Sequence, residues 1–241
     1  MKPVYIVSWL FALAISFLSC DDWLDKTPKD RLYPDVYFKT EDELRLFTNQ
    51  FYNNLVPSAV DIYSESSDLI VKSDLMLEMS GQRIIPDEGN GWNFTALRDI
   101  NFYLQYSHNC TEVNARNRYD GVARFFRAYF YFEKVKRYGD IPWYDKALDS
   151  DDPELYKARD SREFVMQKML EDLDFAIANL PKTKNAYVLT RWTALALKSR
   201  VCLFEGTFRK YHGLEDCEKY LNACVSASET FMNESGYTLY K

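Results

Sequence analysis

Adjacent carboxylates are the residues of this 241-residue sequence that most directly suggest bond-breaking chemistry. The pairs Asp151–Asp152 and Glu171–Asp172 contain the residue types with which glycosidases cleave sugar linkages, one carboxyl group acting as acid and the other as base or nucleophile. Both pairs lie in charged stretches, which predicts solvated, exposed groups rather than catalytic ones. The sequence offers no Ser–His–Asp set and no activated cysteine. We therefore predict that the protein is not an enzyme.

The histidine and cysteine positions do not form the pattern of a metal or redox site. His108 and His212 each lack a second ligand at metal spacing, and no two of the 5 cysteines form a C-x-x-C pair. Cys217 and Cys224 would lie about 10 Å apart along one helix, too far for a disulfide. We predict no metal and no cofactor. Apart from Cys20, which is discussed below, the cysteines are expected to be small buried hydrophobic residues: Cys110, Cys202, Cys217 and Cys224.

The charge balance argues against nucleic acid as a partner. The formal net charge is -6, whereas binding to phosphates requires a cationic face. Aromatic residues make up 16% of the chain. Most of them are expected in the core, although the same side chains also stack on flat ligands and sugar rings. Four arginines cluster within one predicted helix, and we interpret them as its solvated face: Arg116, Arg118, Arg124 and Arg127.

Residues 1–19 have the organisation of an export signal. One positive charge, Lys2, precedes an apolar run over residues 4–18, which is short for a membrane span of about twenty residues. Ser19 and Cys20 then precede acidic residues, and this ending resembles the bacterial lipobox. The resemblance implies cleavage before Cys20 and attachment of diacylglycerol to its sulfur, with residues 20–39 as a lipid-anchored tether. The alternative is a buried N-terminal helix or an uncleaved anchor.

Residues 40–241 carry the pattern of a mainly all-α domain with long loops. Thr40 and Glu43 form a capping box, and Pro57 ends the helix that follows. Residues 58–91 are irregular, and a loop of this length is usually functional or an insertion. Gly139 supplies a helix C-cap, and Ser161 and Thr190 are helix N-caps. The later helices are predicted at about residues 94–107, 113–137, 161–180, 190–206 and 214–232.

These helices are expected to stack in antiparallel pairs. Small residues let neighbouring backbones approach closely, and the chain supplies Ala176, Ala194, Ala196 and Ala227 at the relevant positions. Such pairing is typical of helical repeats of about 34 residues, in which no pair buries its apolar face alone. The pattern therefore indicates tetratricopeptide-like helix pairs.

Several stretches, in order along the chain, resemble the SusD/RagB family of Bacteroidetes outer-membrane lipoproteins. The strongest is ARFFRAYFYF at residues 123–132, continued by VKRYGDIP at residues 135–142. The others are Leu97–Leu104, Tyr156–Glu163, Asp172–Pro181 and Ala194–Val201. The resemblance implies an α/α superhelical scaffold, capture of oligosaccharides or polysaccharides at the cell surface, and their delivery to a SusC-like TonB-dependent transporter. It also implies an outer-membrane position, which fits the acidic residues after Cys20.

The sequence departs from the family in length, because family members continue well beyond Lys241. We expect residues 40–241 to be the N-terminal helical-repeat half of a SusD-like protein, either truncated or reduced. A second hypothesis from a different functional class stays open. In it, the chain is a helical-repeat scaffold at the outer membrane that binds a protein partner without binding sugar.

The resemblance also indicates where a glycan would bind. Sugar recognition needs a flat aromatic face and a few polar side chains for the hydroxyl groups. The family's corresponding loop contributes an aromatic residue and an amide, which implies Trp92 and Asn93 here, with Arg83 as a further candidate. The alternative for Trp92 is a packing role as a hydrophobic staple where the next helix begins.

Overall fold

Six α-helices make up most of the part of the chain that the computed structural model describes, residues 34, 36–57, 80–82, 84 and 91–239. The described residues from Phe38 onward form one compact unit. The predicted signal peptide, Cys20 and Arg83 lie outside the described residues. The helices are α1 Glu41–Leu55, α2 Thr95–Tyr106, α3 Val113–Tyr138, α4 Arg162–Asn179, α5 Arg191–His212 and α6 Cys217–Glu234.

The helix boundaries follow local sequence signals at most ends. The Thr40 hydroxyl accepts a hydrogen bond from the Glu43 backbone, and the Glu43 carboxylate accepts one from the Thr40 backbone, as predicted. The Ser161 hydroxyl caps α4. Gly139 ends α3 with a φ of 71°, a conformation that glycine adopts without steric cost. The mainly helical fold class is therefore confirmed. No helix in the described part combines the length and apolar character needed to cross a membrane.

Consecutive helices pack antiparallel from α3 onward. The Arg127 and Asp172 side chains join α3 to α4, the Lys198 and Asp174 side chains join α5 to α4, and Ser199 bonds Ser228 between α5 and α6. Three of the four predicted close-packing alanines are buried, whereas Ala196 is exposed and that prediction was wrong. Position 196 faces solvent because the contacts of α5 lie on its other faces.

An aromatic core joins the first three helices. Phe38 is completely buried and its ring contacts those of Phe47 and Tyr103 at centroid distances of 5.0 and 5.6 Å. Phe51 continues this core to Phe126 on α3. Phe38 has a φ of 66°, which is unfavourable for a bulky side chain. Burial of its ring among these aromatic residues offsets that backbone strain.

Helix α5 differs from the prediction at its end. The sequence pattern predicted closure near Gly206, but α5 continues to His212 and is capped by Gly213 with a φ of 64°. Gly206 has a packing role instead. A Cβ atom at this position would lie 2.7 Å from Leu221 Cδ2 and 3.1 Å from the Leu221 backbone nitrogen. The glycine thus allows α6 to approach α5 closely.

Gly206→Ala is expected to lower the free energy of unfolding by about 1 to 3 kcal/mol, because the added methyl group overpacks the α5–α6 contact. Gly121→Ala is the matched control. Its Cβ would lie an ordinary 3.4 Å from Leu180 Cγ, so it is expected to be neutral or to stabilise α3 by up to about 1 kcal/mol through helix propensity. Urea denaturation compares the two variants. Equal effects of both substitutions would show that Gly206 has no special packing role.

The exposure predicted for two charged residues was wrong. Arg127 was assigned to a solvated helix face and Asp172 to an exposed acidic pair, but they are 7% and 2% exposed. They form a two-bond ion pair, Arg127 Nε and Nη2 lying 2.6 and 2.7 Å from the two oxygens of Asp172. Each charge is buried because the other compensates it.

The cysteines behave as predicted only in part. Cys110 and Cys202 are buried, whereas Cys217 and Cys224 are partly exposed, so the expectation of burial was wrong for the latter two. Helix α6 leaves both at the margin of its packed face. All four thiols are free. Burial raises the pKa of Cys202 to about 12, so its thiol is uncharged and unreactive at neutral pH.

Candidate functional site

A cleft of about 550 Å³ lies between the first turns of α2 and the irregular segment that follows α3. Aromatic rings form one part of its wall, from Trp92, Phe94 and Tyr144. Basic side chains form another part, including Arg98, Lys157 and Arg159. A concave surface that combines apolar rings with a few polar groups is typical of small-molecule and carbohydrate sites.

Trp92 has both a packed edge and an exposed surface in this cleft. Its ring meets those of Phe94 and Tyr138 edge-to-face, at centroid distances of 5.3 and 4.9 Å. The side chain stays 41% exposed. The guanidinium carbon of Arg159 lies 4.9 Å from the centroid of the same ring. Trp92 therefore packs where α2 begins and also presents ring surface to the cleft, so its contact with a ligand stays a prediction.

The residue before Trp92 fixes the position of the ring. Gly91 has a φ of 79°, and a Cβ atom there would lie 3.3 Å from the Tyr138 hydroxyl oxygen. Its carbonyl oxygen accepts a hydrogen bond from Lys134 Nζ on α3. That ammonium also lies 4.9 Å from the Phe130 ring centroid, and burial lowers the pKa of Lys134. Glycine is needed here for its backbone conformation and for this close approach to α3.

Asn93 lies next to the cleft and has a structural contact. Its side-chain oxygen accepts a hydrogen bond of 2.8 Å from the Thr95 backbone nitrogen, in the first turn of α2. This bond satisfies one of the backbone donors that have no partner within the helix. Contact between Asn93 and a ligand stays a prediction, as does the role of Arg83.

Asn101 and Tyr131 hold the far wall of the cleft in place. The Asn101 amide nitrogen donates to the carbonyl oxygens of Tyr144 and Lys146 at 2.8 and 3.2 Å. The Tyr131 hydroxyl accepts a 2.6 Å bond from the Tyr144 backbone nitrogen. Asn101 in turn accepts a bond from Arg127 Nη1 at 3.2 Å. The buried Arg127–Asp172 pair is thus connected to the cleft wall through a single amide.

Sequence reasoning did not identify the residues on the far wall. Tyr144 and Arg159 belong to an irregular segment, and no periodic pattern of apolar residues predicts where such a segment runs. A signal existed for Asn101, since it is a polar residue on the apolar stripe of α2. A buried amide needs partners, and here they are backbone carbonyls more than forty residues further along the chain.

Three of the four carboxylates that resemble glycosidase pairs are engaged in ion pairs. Asp152 lies 3.4 Å from Lys146, Glu171 lies 2.8 Å from Lys168, and Asp172 is bound by Arg127. Among the described residues, no group of three or more His, Cys, Asp or Glu side chains could hold a metal ion. The chemistry that the cleft offers is recognition, by aromatic surface for the apolar face of a ring and by cationic donors for its oxygens.

The sequence profile of one protein family matches residues 51–191, and that family is described as SusD-like, starch-binding and associating with the outer membrane. All residues that line the cleft fall within this range. Among curated proteins, the SusD-like protein P38 of Formosa agariphila is 25% identical over 226 residues. The alignment covers 85% of this chain and 43% of that protein, so the chain spans less than half the length of this relative.

Solved structures share the fold. A SusD-like protein from Bacteroides fragilis aligns with a TM-score of 0.61 and 23% identity, over 89% of this chain and 42% of that chain. A crystal structure with a xylogluco-oligosaccharide aligns with a TM-score of 0.51 and 22% identity, over 61% of this chain and 29% of that chain. These similarities show the helical fold.

Proposed function

The chain belongs to the SusD-like family of starch-binding proteins that associate with the outer membrane, and from this premise we propose that it captures oligosaccharides in the cleft beside Trp92. It is then a binding protein rather than an enzyme. It passes the captured sugar to a SusC-like TonB-dependent transporter. Acylation of Cys20 holds it on the outer face of the outer membrane.

The observation that supports this proposal best is the arrangement around Trp92. A large aromatic ring that is 41% exposed lies in the wall of a cleft whose backbone is fixed on both sides. A sugar ring has one apolar face of C–H groups, and stacking that face on indole removes both surfaces from water. Because Gly91 and Asn101 hold the two walls, little ordering is needed when a ligand binds.

The lipid anchor and the outward position rest on the sequence signal at Ser19–Cys20 and on the family's association with the outer membrane. Acyl chains attached to Cys20 would keep the protein on the bilayer without a membrane-spanning helix. Incorporation of labelled palmitate in the native host, and its loss in Cys20→Ala, tests this part of the proposal.

Trp92→Ala is expected to weaken oligosaccharide binding by about thirtyfold, since truncation of a central aromatic contact typically costs about 2 kcal/mol. Titration calorimetry with a panel of neutral and acidic oligosaccharides first identifies a binding sugar and then compares the variants. Tyr211→Ala removes an 81% exposed ring at the end of α5 and is the matched control. Circular dichroism verifies that both variants are folded.

The outcomes separate the two functional hypotheses. Unchanged affinity in Trp92→Ala would place the binding site elsewhere. If the wild-type chain binds no sugar in the panel but forms a stable complex with a β-barrel transporter, the scaffold hypothesis replaces glycan capture.

A further inference from the structure

Basic residues outnumber acidic ones in the wall of the cleft, although the whole chain carries a net charge of -6. Four cationic side chains line it, whereas Asp99 is the acidic residue among its lining residues. The cationic residues are Arg98, Lys146, Lys157 and Arg159. The positive charge is therefore concentrated in the cleft and does not reflect the composition of the whole chain, which is acidic.

Internal ion pairs neutralise two of these cations. Lys146 Nζ lies 2.9 Å from Glu154 and 3.4 Å from Asp152. Lys157 Nζ lies 3.0 Å from Asp160 and donates a 2.6 Å hydrogen bond to the Trp143 carbonyl oxygen. Neither lysine therefore needs a further anion.

The two arginines differ from the lysines. Within the described part of the chain, no carboxylate lies at ion-pair distance from Arg98 or Arg159. Arg98 donates through Nε to the Leu148 carbonyl oxygen at 3.2 Å, which fixes its side chain against the cleft wall. Arg159 lies over the Trp92 ring at 4.9 Å. Both residues are exposed, and a guanidinium group has five N–H donors.

The neighbouring Asp99 carboxylate attracts Arg98, although the two do not form an ion pair. Burial raises its pKa, which means that the protein environment disfavours its charged form, while Arg98 partly opposes that shift. The positive charge of the cleft is therefore balanced only in part by groups in the same wall.

We propose, resting on the function proposed above, that the captured oligosaccharide is anionic and that Arg98 and Arg159 bind its acidic group, a carboxylate or a sulfate ester. A guanidinium fork matches either oxyanion with two parallel hydrogen bonds. The position of Arg159 over Trp92 brings one such fork next to the ring on which the sugar stacks. Recognition of charge and recognition of the sugar ring then occur in the same subsite.

The test compares three oligosaccharide probes of equal length by titration calorimetry: an oligogalacturonate, a sulfated galactan oligosaccharide and a neutral xylogluco-oligosaccharide. At least one acidic probe is expected to bind about tenfold more tightly than the neutral one. Arg98→Gln and Arg159→Gln are each expected to weaken that binding by about tenfold, the value of one charge-assisted contact. Raising the ionic strength is expected to weaken the binding of the acidic probe but not that of the neutral probe, because salt screens the charges of the two exposed arginines.

Arg200→Gln is the matched control, since it removes the same charge from an exposed position on α5. It is expected to leave all affinities unchanged. Comparison of the oligogalacturonate with the sulfated probe identifies which oxyanion is the natural one. Arg159→Lys keeps the charge but loses the planar fork. Its affinity for the acidic probe is expected to lie between those of the wild type and Arg159→Gln.

Two results would overturn the inference. One is equal or tighter binding of the neutral probe with the effect of Trp92→Ala retained, which leaves glycan capture intact and removes only the anionic preference. The other is an acidic probe whose affinity is unaffected by either arginine substitution. Absence of binding by all three probes would count against both this inference and glycan capture.

Discussion

Asp172→Ala is expected to lower the free energy of unfolding by about 3 to 5 kcal/mol, the largest loss of stability that we predict for one substitution in this chain. Arg127 is only 7% exposed in the intact protein, and the substitution leaves its guanidinium without a carboxylate partner, with one hydrogen bond to the Asn101 side-chain oxygen. A charge that is buried without compensation costs several kcal/mol, whereas the intact pair makes two short hydrogen bonds between α3 and α4.

The pKa of Arg127 reports the same balance. Burial by itself lowers this pKa, but the hydrogen bonds and the charge of Asp172 raise it overall. Removing Asp172 takes away the largest of the contributions that raise this pKa and leaves the burial that lowers it. The damage is also expected to reach the cleft, because Arg127 bonds Asn101 and Asn101 holds the Tyr144 carbonyl.

Urea denaturation monitored by circular dichroism measures the loss. The double substitution Arg127→Met with Asp172→Leu is the informative control, since replacing both partners by apolar residues of similar size removes the uncompensated charge. We expect it to recover most of the stability lost in Asp172→Ala. A single substitution that costs less than 1 kcal/mol would show that the pair does not join α3 and α4 as described.

Glu205→Ala is expected to lower the free energy of unfolding by about 3 kcal/mol, for a related reason where α4 begins. The Glu205 carboxylate is fully buried and accepts hydrogen bonds from Arg162 Nε at 2.7 Å and from Arg209 Nε at 2.8 Å. Arg209 extends the network to Glu163 on α4 and to the Glu215 carbonyl oxygen that precedes α6. The Glu205 carboxylate thus connects α5 to α4, and through Arg209 the network reaches the segment that precedes α6.

Glu229→Ala is the matched control for Glu205, because Glu229 is exposed on α6. Its removal is expected to change stability by no more than about 0.5 kcal/mol. Chemical denaturation of both variants gives the comparison, and similar effects for the two glutamates would contradict a structural role for the Glu205 network. The buried pair of Arg127 and Asp172 explains why a charged residue lies among the apolar positions of residues 123–132.

Local sequence signals predicted the helices well because caps act over a few residues. Thr40, Gly139 and Ser161 each satisfy or interrupt backbone hydrogen bonding near their own positions. Gly206 was wrongly predicted to end the helix. A glycine is present there because Leu221 on α6 leaves no room for a Cβ atom. A residue type alone does not distinguish a helix end from a close approach between helices.

The burial of charged residues and the composition of the cleft also depend on contacts between residues that are distant in sequence. Arg127 and Asp172 look like surface residues until their pairing, forty-five positions apart in sequence, is known. Trp92 was predicted from its motif, but Arg98, Asn101 and Arg159 gained their significance only when the segment after α3 was seen against α2. Because the segment after α3 has no regular secondary structure, its residue spacing does not predict which of its side chains lie against α2.

The most direct test of the whole account is a crystal structure of the chain with the oligosaccharide that binds it most tightly in the probe series. We predict a sugar ring stacked on Trp92, in the cleft between α2 and residues 142–159, with its acidic group at the guanidinium of Arg98 or Arg159. An oligosaccharide bound on a different surface, with this cleft empty, would contradict the account.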